Sequence, residues 1–289
     1  MILVAGATGH LGSSIVHRLL ARGEQVRILA RAGSAYQSLV QRGAEVSIGD
    51  LKDRASLDRA CAGIDTVITT ANSARRGGDD NVDTVDERGT ASLIDAAKAA
   101  RVRHFIYVSV LGVSADSPMP FLAAKGRNED RLRASGMAWT ILAPNAFMET
   151  WPTTVVGMPA LAGQPVTIVG EGNRKHTFVS ADDVAAFVVA AVGNPAALNQ
   201  HVPIGGPDAL SWRDVVKVYE RVLGRSIEIR TAQPGESVPG VPPTVIPLLA
   251  GFDTYETVFD TSQSARAFGV TLTPLEVIVR RQQATRAEH

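Results

Sequence analysis

Residues Val4–Ser34 read VAGATGHLGSSIVHRLLARGEQVRILARAGS. A short apolar run enters a turn carrying Gly6, Gly9 and Gly12, and apolar residues at 11, 15, 16, 19 and 20 then recur at helical spacing until Gly23. A glycine pattern alone is a weak signal, but between a strand and a helix it predicts a dinucleotide seat. The glycines allow a tight turn, a close backbone approach to a pyrophosphate and close helix–sheet packing, and the helix N-terminus offers free N–H groups and its positive dipole end. Thr8, His10 and Leu11 lie inside this turn, so they join the glycines as expected cofactor contacts.

The second apolar run, QVRILA (25–30), ends at Arg31, 19 residues after Gly12. An acid near this point would bind the ribose 2′-hydroxyl of NAD. No Asp or Glu stands between Glu24 and Glu45. A guanidinium suits the oxygens of a 2′-phosphate, which predicts NADP(H); a solvated surface arginine is the bland alternative.

Outward from this stretch the same rhythm repeats. Strands are expected at 2–6, 25–30, 44–50, 65–71, 104–110 and 138–144, and helices at 11–23, 34–43, 53–63, within 81–100 and near 121–135. Continuous apolar strands alternating with helices predict an α/β fold, a doubly wound parallel sheet of the Rossmann type covered on both faces. The alternation loosens after residue 150, so the reading is an NADP-binding domain at 1–150 and a smaller substrate-side lobe at 151–289, with some elements returning to the main sheet. In that lobe VTIVG, HTFVS (176–180) and HVPIGG read as short strands, 181–193 and 211–224 as helices, and the Pro/Gly-rich 232–247 as a loop or broken helix, with 232–260 a segment that could close over the substrate.

The bulk numbers exclude several function classes. Lys plus Arg and Asp plus Glu are 29 each, so no net charge favours nucleic acid or an anionic membrane as partner. The one cysteine, Cys61, cannot form a disulfide within the chain and reads as a small buried hydrophobe. The first residues lack a charged n-region and long apolar h-region, and no apolar run approaches the ~18 residues of a membrane span, so a cytoplasmic protein is expected. The histidines at 10, 17, 104, 176, 201 and 289 show no metal-ligand spacing, so no metal is expected. Asp182-Asp183 reads as helix N-terminal charge rather than an acid pair. ARRGGDD (74–80) reads as a polar loop, either solvated or a lid over the cofactor.

Ligands sit at the carboxyl ends of parallel strands. That rule places Asp50 and Leu51 near an adenine, with a helix N-cap the competing role for Asp50, and Thr70, Ala71 and Asn72 under the middle of the cofactor.

Several stretches together resemble one family: GATGHLG, GD at 49–50, FIYVSVLG at 105–112, KGRNEDRLRASGMAWTILAPNAFME at 125–149 and FVSADDVA at 178–185. The chain is similar to the atypical, extended branch of the short-chain dehydrogenase/reductase superfamily, and more narrowly to the NmrA-like group that includes NAD(P)H:quinone oxidoreductases and isoflavone-reductase-type enzymes. The resemblance implies that Lys125 holds the nicotinamide ribose, that Ser109 stands beside the nicotinamide, and that Pro144, Asn145 and Phe147 contribute near it. Tyr107 shares a face with Ser109; it reads as core or pocket lining, and Met148 and Trp151 likewise as core or an apolar pocket wall.

The wider superfamily uses a Tyr-x-x-x-Lys pair whose phenol moves the substrate proton. Here the pair reads Phe121 and Lys125, and none of the tyrosines at 36, 107, 219 and 255 stands four residues before the lysine. The phenol relay is therefore not carried over. The resemblance then implies either an NADPH-dependent reductase of a quinone-like or related conjugated small-molecule acceptor, with Phe121 lining the substrate side, or a non-catalytic NADP(H) redox sensor of the NmrA type working through a protein partner. A sugar-nucleotide epimerase or dehydratase leans on the missing phenol. Lys125 as a surface lysine paired with Glu129 is the structural alternative, and both a homodimer and a monomer are compatible with the sequence.

Overall fold

A computed structural model describes residues 1–74, 76–242 and 245–287. In chain order the elements are β1 (Ile2–Ala5), α1 (His10–Ala21), β2 (Val26–Ala30), α2 (Gln37–Gln41), β3 (Glu45–Ile48), α3 (Arg54–Cys61), β4 (Thr66–Thr69), α4 (Arg88–Ala99), β5 (His104–Val108), α5 (Pro120–Arg133), β6 (Ala138–Pro144), α6 (Met158–Leu161), β7 (Val166–Val169), α7 (Ala181–Ala191), β8 (Gln200–Ile204), α8 (Trp212–Leu223), β9 (Ile229–Ala232), α9 (Ile246–Phe252), α10 (Ser262–Phe268) and α11 (Leu275–Ala287).

The chain divides into two compact units. The first comprises Met1–Pro144, Val184–Pro203 and Phe268–Val270; the second comprises Asn145–Asp183, Ile204–Ala267 and Thr271–His289. The division falls at Pro144, a few residues before the expected boundary at 150, and most of α7 and β8 belong to the first unit.

In the first unit seven strands form one sheet in the order β3-β2-β1-β4-β5-β6-β8. The first six pair in parallel, with Ile2 opposite both Val26 and Thr66. The order reverses direction between β1 and β4, so their carboxyl ends form the crevice where ligands of open α/β sheets bind. The doubly wound sheet expected from the alternation is present. Leu3, Leu57, Val67, Leu93, Phe105, Leu132 and Ile141 are fully buried in one core cluster of this unit. Each such side chain contributes roughly 1.5–3 kcal/mol on burial.

The element ends differ from the sequence reading in ways with local causes. α2 is only five residues because the Arg31–Ser34 turn, with Gly33 at φ +79°, occupies the start of the expected helix. The expected helix within 81–100 opens with a π-helical turn over Val82–Glu87, capped reciprocally by Asn81 and Thr84.

In the second unit β7 and β9 make a two-stranded parallel sheet, and β9 had no counterpart in the sequence reading. Residues 176–180 are not the expected strand. Their backbone N–H groups go to three separate segments, His176 N to Leu210 O, Thr177 N to Thr257 O and Val179 N to Ala146 O, so isolated bridges replace a ladder. Around them Phe178, Trp212, Tyr219, Phe252 and Val279 form this unit's own core. α8 starts at a capping box of Ser211 and Asp214 and ends at Gly224 in the left-handed region, as SWRDVVKVYERVLG suggested. Glu149 accepts the Ala181 N–H at 3.0 Å at the start of α7, while the buried Asp183 holds Thr273 N at 2.7 Å, so the paired acids are structural. Of the 232–260 segment, Pro243 and Thr244 lie outside the described residues, as do Arg75 in the 74–80 loop and His289. Among the described residues no helix is long and apolar enough to cross a membrane.

Candidate functional site

The glycine turn stands at the switch point of the sheet. Gly6 has φ +86°, and a Cβ there would stand 2.7 Å from both Ala71 N and Thr70 Oγ1. A Cβ on Gly12 would meet Gly6 O at 2.1 Å, so α1 enters the sheet too closely for any side chain. Gly9 differs: it is extended at φ −78°, and its Cβ would stand 3.4 Å from Gly6 O. Gly9 is the N-cap of α1, and no side chain caps the helix. Thr8, Gly9 and His10 are exposed, Leu11 is half-buried, and the uncapped N–H groups of the first turn remain as donors. This cradle fits a pyrophosphate: backbone donors are free and the walls are built from glycine. Thr70 and Ala71 adjoin it, with Thr70 Oγ1 donating to Gly6 O at 3.5 Å, and Asn72 is exposed beyond them.

The carboxyl ends of β2 and β3 border an open depression of about 680 Å³ lined by Arg31, Gly33, Ser34, Gly49, Asp50 and Arg59. Asp50 Oδ1 accepts the Lys52 N–H at 2.9 Å, whereas Asp53 caps α3 by accepting Ala55 N at 3.1 Å. The helix-cap role weighed for Asp50 therefore belongs to Asp53. Leu51 is buried against α4, where a Cβ on Gly89 would meet its Cβ at 2.9 Å. Arg31 is 43% exposed, yet it is not free: its guanidinium pairs with Asp80.

The second focus lies beyond β5. Lys125 on α5 is 5% exposed, not the surface lysine of the bland reading. Its ammonium donates to Val108 O at 3.1 Å and stands 4.9 Å from the Tyr107 ring centroid and 5.4 Å from that of Phe121. Burial lowers its pKa to about 8, against the opposing pull of the Asp86 and Glu129 carboxylates. Asp86 is itself buried and accepts the Ser73 N–H at 3.1 Å; burial holds its pKa above the usual carboxylate value.

Glu129 is not a simple helix partner of Lys125. It is buried and pairs with Arg133 at 2.7 Å and His201 at 3.5 Å. Burial pushes its pKa up, but His201 and Arg133 outweigh this and hold it low. Ser109 is buried at the end of β5, and its hydroxyl makes no hydrogen bond there.

Other expected site residues are placed elsewhere. Tyr107 is 1% exposed and packs in the first unit's core, so it lines no substrate surface, and burial drives its phenol pKa well upward. Phe121 is half-buried beside Lys125. Pro144 is buried and its carbonyl accepts Leu111 N at 3.0 Å. In the second unit, Asn145 spends its side-chain amide on Thr257 Oγ1 at 2.8 Å and Thr177 O at 3.1 Å. Phe147 bridges to Val179 through its backbone. Met148 is 1% exposed within that unit's core rather than on a pocket wall, and Trp151 packs edge-on against Phe252 at 5.0 Å between centroids. His176 is likewise core, bonded to Phe252 O and Thr257 Oγ1 at 2.9 Å each, and burial lowers its pKa. Cys61 is buried, with its thiol pushed up to about 12. Among the described residues no group of His, Cys, Asp and Glu is arranged to hold a metal.

Sequence reasoning missed Asp80 as the partner of Arg31, with Lys52 and Arg76 on the same carboxylate, and it missed Asp86 near the buried lysine and His201 as a partner of Glu129. The acid at the end of ARRGGDD was a signal for the first group. Nothing in the linear pattern joins His201 to Glu129.

A glycine turn at a sheet switch point and a buried lysine after β5 define a dinucleotide-binding Rossmann protein of the short-chain dehydrogenase/reductase kind. The family described as "NAD(P)H-binding" matches residues 6–195, and the chain belongs to it, within the atypical, NmrA-like branch. It is similar to the NAD(P)H azoreductase of Xenophilus azovorans, 33% identical over 227 residues that cover 78% of this chain and 75% of that one. It is also similar to the (4-alkanoyl-5-oxo-2,5-dihydrofuran-3-yl)methyl phosphate reductase of Streptomyces griseus, 35% identical over 228 residues covering 78% and 75%. Among solved structures, an NADPH-dependent quinone oxidoreductase of Escherichia coli in complex with NADPH shares the fold, with a TM-score of 0.81 at 22% identity over 97% of this chain and 99% of that one.

Proposed function

We propose that the protein is an NADPH-dependent reductase of a quinone-like or related conjugated small-molecule acceptor. The observation that carries this reading is Lys125: its ammonium is buried against Val108 O, and the residue four places before it, whose ring is 5.4 Å away, is Phe121 rather than a tyrosine. The uncapped glycine turn would hold the pyrophosphate, Arg31 the 2′-phosphate, Asp50 the adenine side, Thr70, Ala71 and Asn72 the middle of the cofactor, and Lys125 the nicotinamide ribose. When bound, the reduced nicotinamide supplies a hydride.

The residues present handle the accompanying proton differently from a Tyr–Lys pair. Phe121 cannot protonate anything, and the Tyr107 phenol is sealed in the core with its pKa raised. The acceptor must therefore carry its own developing negative charge, as the conjugated oxyanion left when a quinone takes up a hydride does. Lys125 Nζ, with a pKa of about 8, is charged at neutral pH and able to release one proton to that oxygen. Positioning supplies much of the remaining rate.

The test is NADPH oxidation, followed by absorbance, against small quinones, azo dyes and enones, with NADH alongside. Turnover with at least one conjugated acceptor and preference for NADPH are expected. Cofactor binding without turnover across the panel would instead support the sensor reading. Arg31→Asp is expected to weaken NADPH binding about tenfold or more, the scale of a lost charged hydrogen bond, and NADH binding far less. Equal losses for the two cofactors in a fluorescence titration would remove Arg31 from the phosphate site.

A further inference from the structure

Asp80, in the loop after β4, is the meeting point of three cations. Its Oδ2 pairs with Arg31 Nη1 and, at 3.3 Å, with Arg76 Nη1, and its Oδ1 pairs with Lys52 Nζ. The carboxylate is the least exposed member, at 11%, while Arg31, Lys52 and Arg76 are 43%, 34% and 29% exposed. The cations come from three separate places: the end of β2, the turn after β3 and the loop after β4. The Lys52 hydrogen bond, ahead of the Arg31 and Arg76 charges, holds the Asp80 pKa below its usual value.

Counting direct ion pairs, one carboxylate meets three cations, and Asp50 and Asp79 add their charge at Lys52 through space. A phosphate monoester, at about −1.5 to −2 at pH 7, is a stronger counter-charge for two guanidiniums and an ammonium than the single carboxylate. Arg31 also lines the open depression at the carboxyl ends of β2 and β3, so the cluster borders space a ligand can enter. We propose that Arg31, Lys52 and Arg76 together form the seat for the 2′-phosphate of NADP(H), and that Asp80 is its resident counter-ion, replaced by the phosphate on binding. The inference rests on the reading of Arg31 given above and adds two cations and a competitor to it.

The exchange has a physical direction. Without ligand, Asp80 offsets the mutual repulsion of three nearby cations. With ligand, a carboxylate and a phosphate dianion on the same guanidinium repel each other, so Asp80 must leave. Its ion pairs are forfeited on binding, which weakens every ligand bearing the phosphate and spares those without it.

The experiment is calorimetric titration of the full chain with NADPH, NADH, 2′-AMP and 5′-AMP. Asp80→Asn is expected to tighten NADPH and 2′-AMP about tenfold, leaving NADH and 5′-AMP within a factor of about two. Lys52→Met and Arg76→Met are expected to weaken NADPH and 2′-AMP selectively. Unchanged or weaker NADPH binding in Asp80→Asn overturns the proposal, and so does an equal change for NADH. Arg31→Ala is titrated in parallel: if it leaves NADPH binding intact, the 2′-phosphate reading itself fails. If Arg31→Ala weakens NADPH but Asp80→Asn does not tighten it, this proposal falls while the reading of Arg31 given above stands. Circular dichroism of each variant identifies any that misfolds, and Asp80→Ser then serves as the second neutral replacement.

Discussion

Gly12→Ala is expected to lose NADPH binding by about two orders of magnitude and to lower the melting temperature, while Gly9→Ala leaves the melting temperature close to wild type. The two substitutions add the same methyl group within one turn. At Gly12 the added Cβ meets only backbone, Gly6 O at 2.1 Å, Gly6 C at 2.7 Å and Ala7 Cα at 2.9 Å, and no side chain can rotate away. The helix must move off the strand, and overpacking of this kind costs typically 1–3 kcal/mol. That displacement also carries away the uncapped N–H groups that face the pyrophosphate. At Gly9 the backbone is already extended and the nearest atom would stand at 3.4 Å, an ordinary contact. Fluorescence titration with NADPH and a thermal melt read both effects. Wild-type affinity in Gly12→Ala would mean that the turn does not carry the cofactor.

Local signals carried the first unit and only part of the second, where β7 and α8 were legible but β9 and residues 176–180 were not. β1 is a continuous apolar run, and β2 and β4 are largely apolar and β-branched; double-sided burial of a parallel sheet writes that pattern into consecutive residues. The glycine turn was legible because its role is backbone geometry, which depends on residues a few places apart. His176–Ser180 reads as a strand on composition, but its hydrogen bonds go to residues near 146, 210 and 257. No local pattern encodes partners that distant. Burial divided the candidate residues in the same way. Tyr107, Met148 and His176 are types that serve equally in a core or a site, and only the fold shows that all three are core. The electrostatic setting of Lys125 was invisible for a related reason. Its spacing from position 121 is local, whereas Asp86 reaches it from the turn before α4, and the neighbouring Glu129 is paired to His201 on β8.

That setting governs the second large effect. Lys125→Met is expected to reduce quinone-dependent NADPH oxidation by about a hundredfold or more, the range typical of a lost general acid. Thermal stability at pH 7 should hold or rise. An ammonium that is 5% exposed, with one carbonyl as hydrogen-bond partner, is expensive to keep charged, and methionine fills similar volume without that cost. The pH dependence follows from the same burial. Free lysine titrates near 10.5 and this one near 8. Between those values the unfolded chain binds the proton and the folded one does not, so the destabilisation by Lys125 is present below pH 8 and relieved as pH rises. Activity runs the opposite way. The charged form is the proton donor, so turnover with a quinone is flat below pH 8 and falls about tenfold per unit above it. Lys125→Arg keeps the charge without titrating in this range, so whatever activity it retains should show no such fall. A wild-type profile that stays level to pH 10, or a methionine variant that keeps its turnover, would take the proton step away from Lys125 and leave it a cofactor-binding residue only.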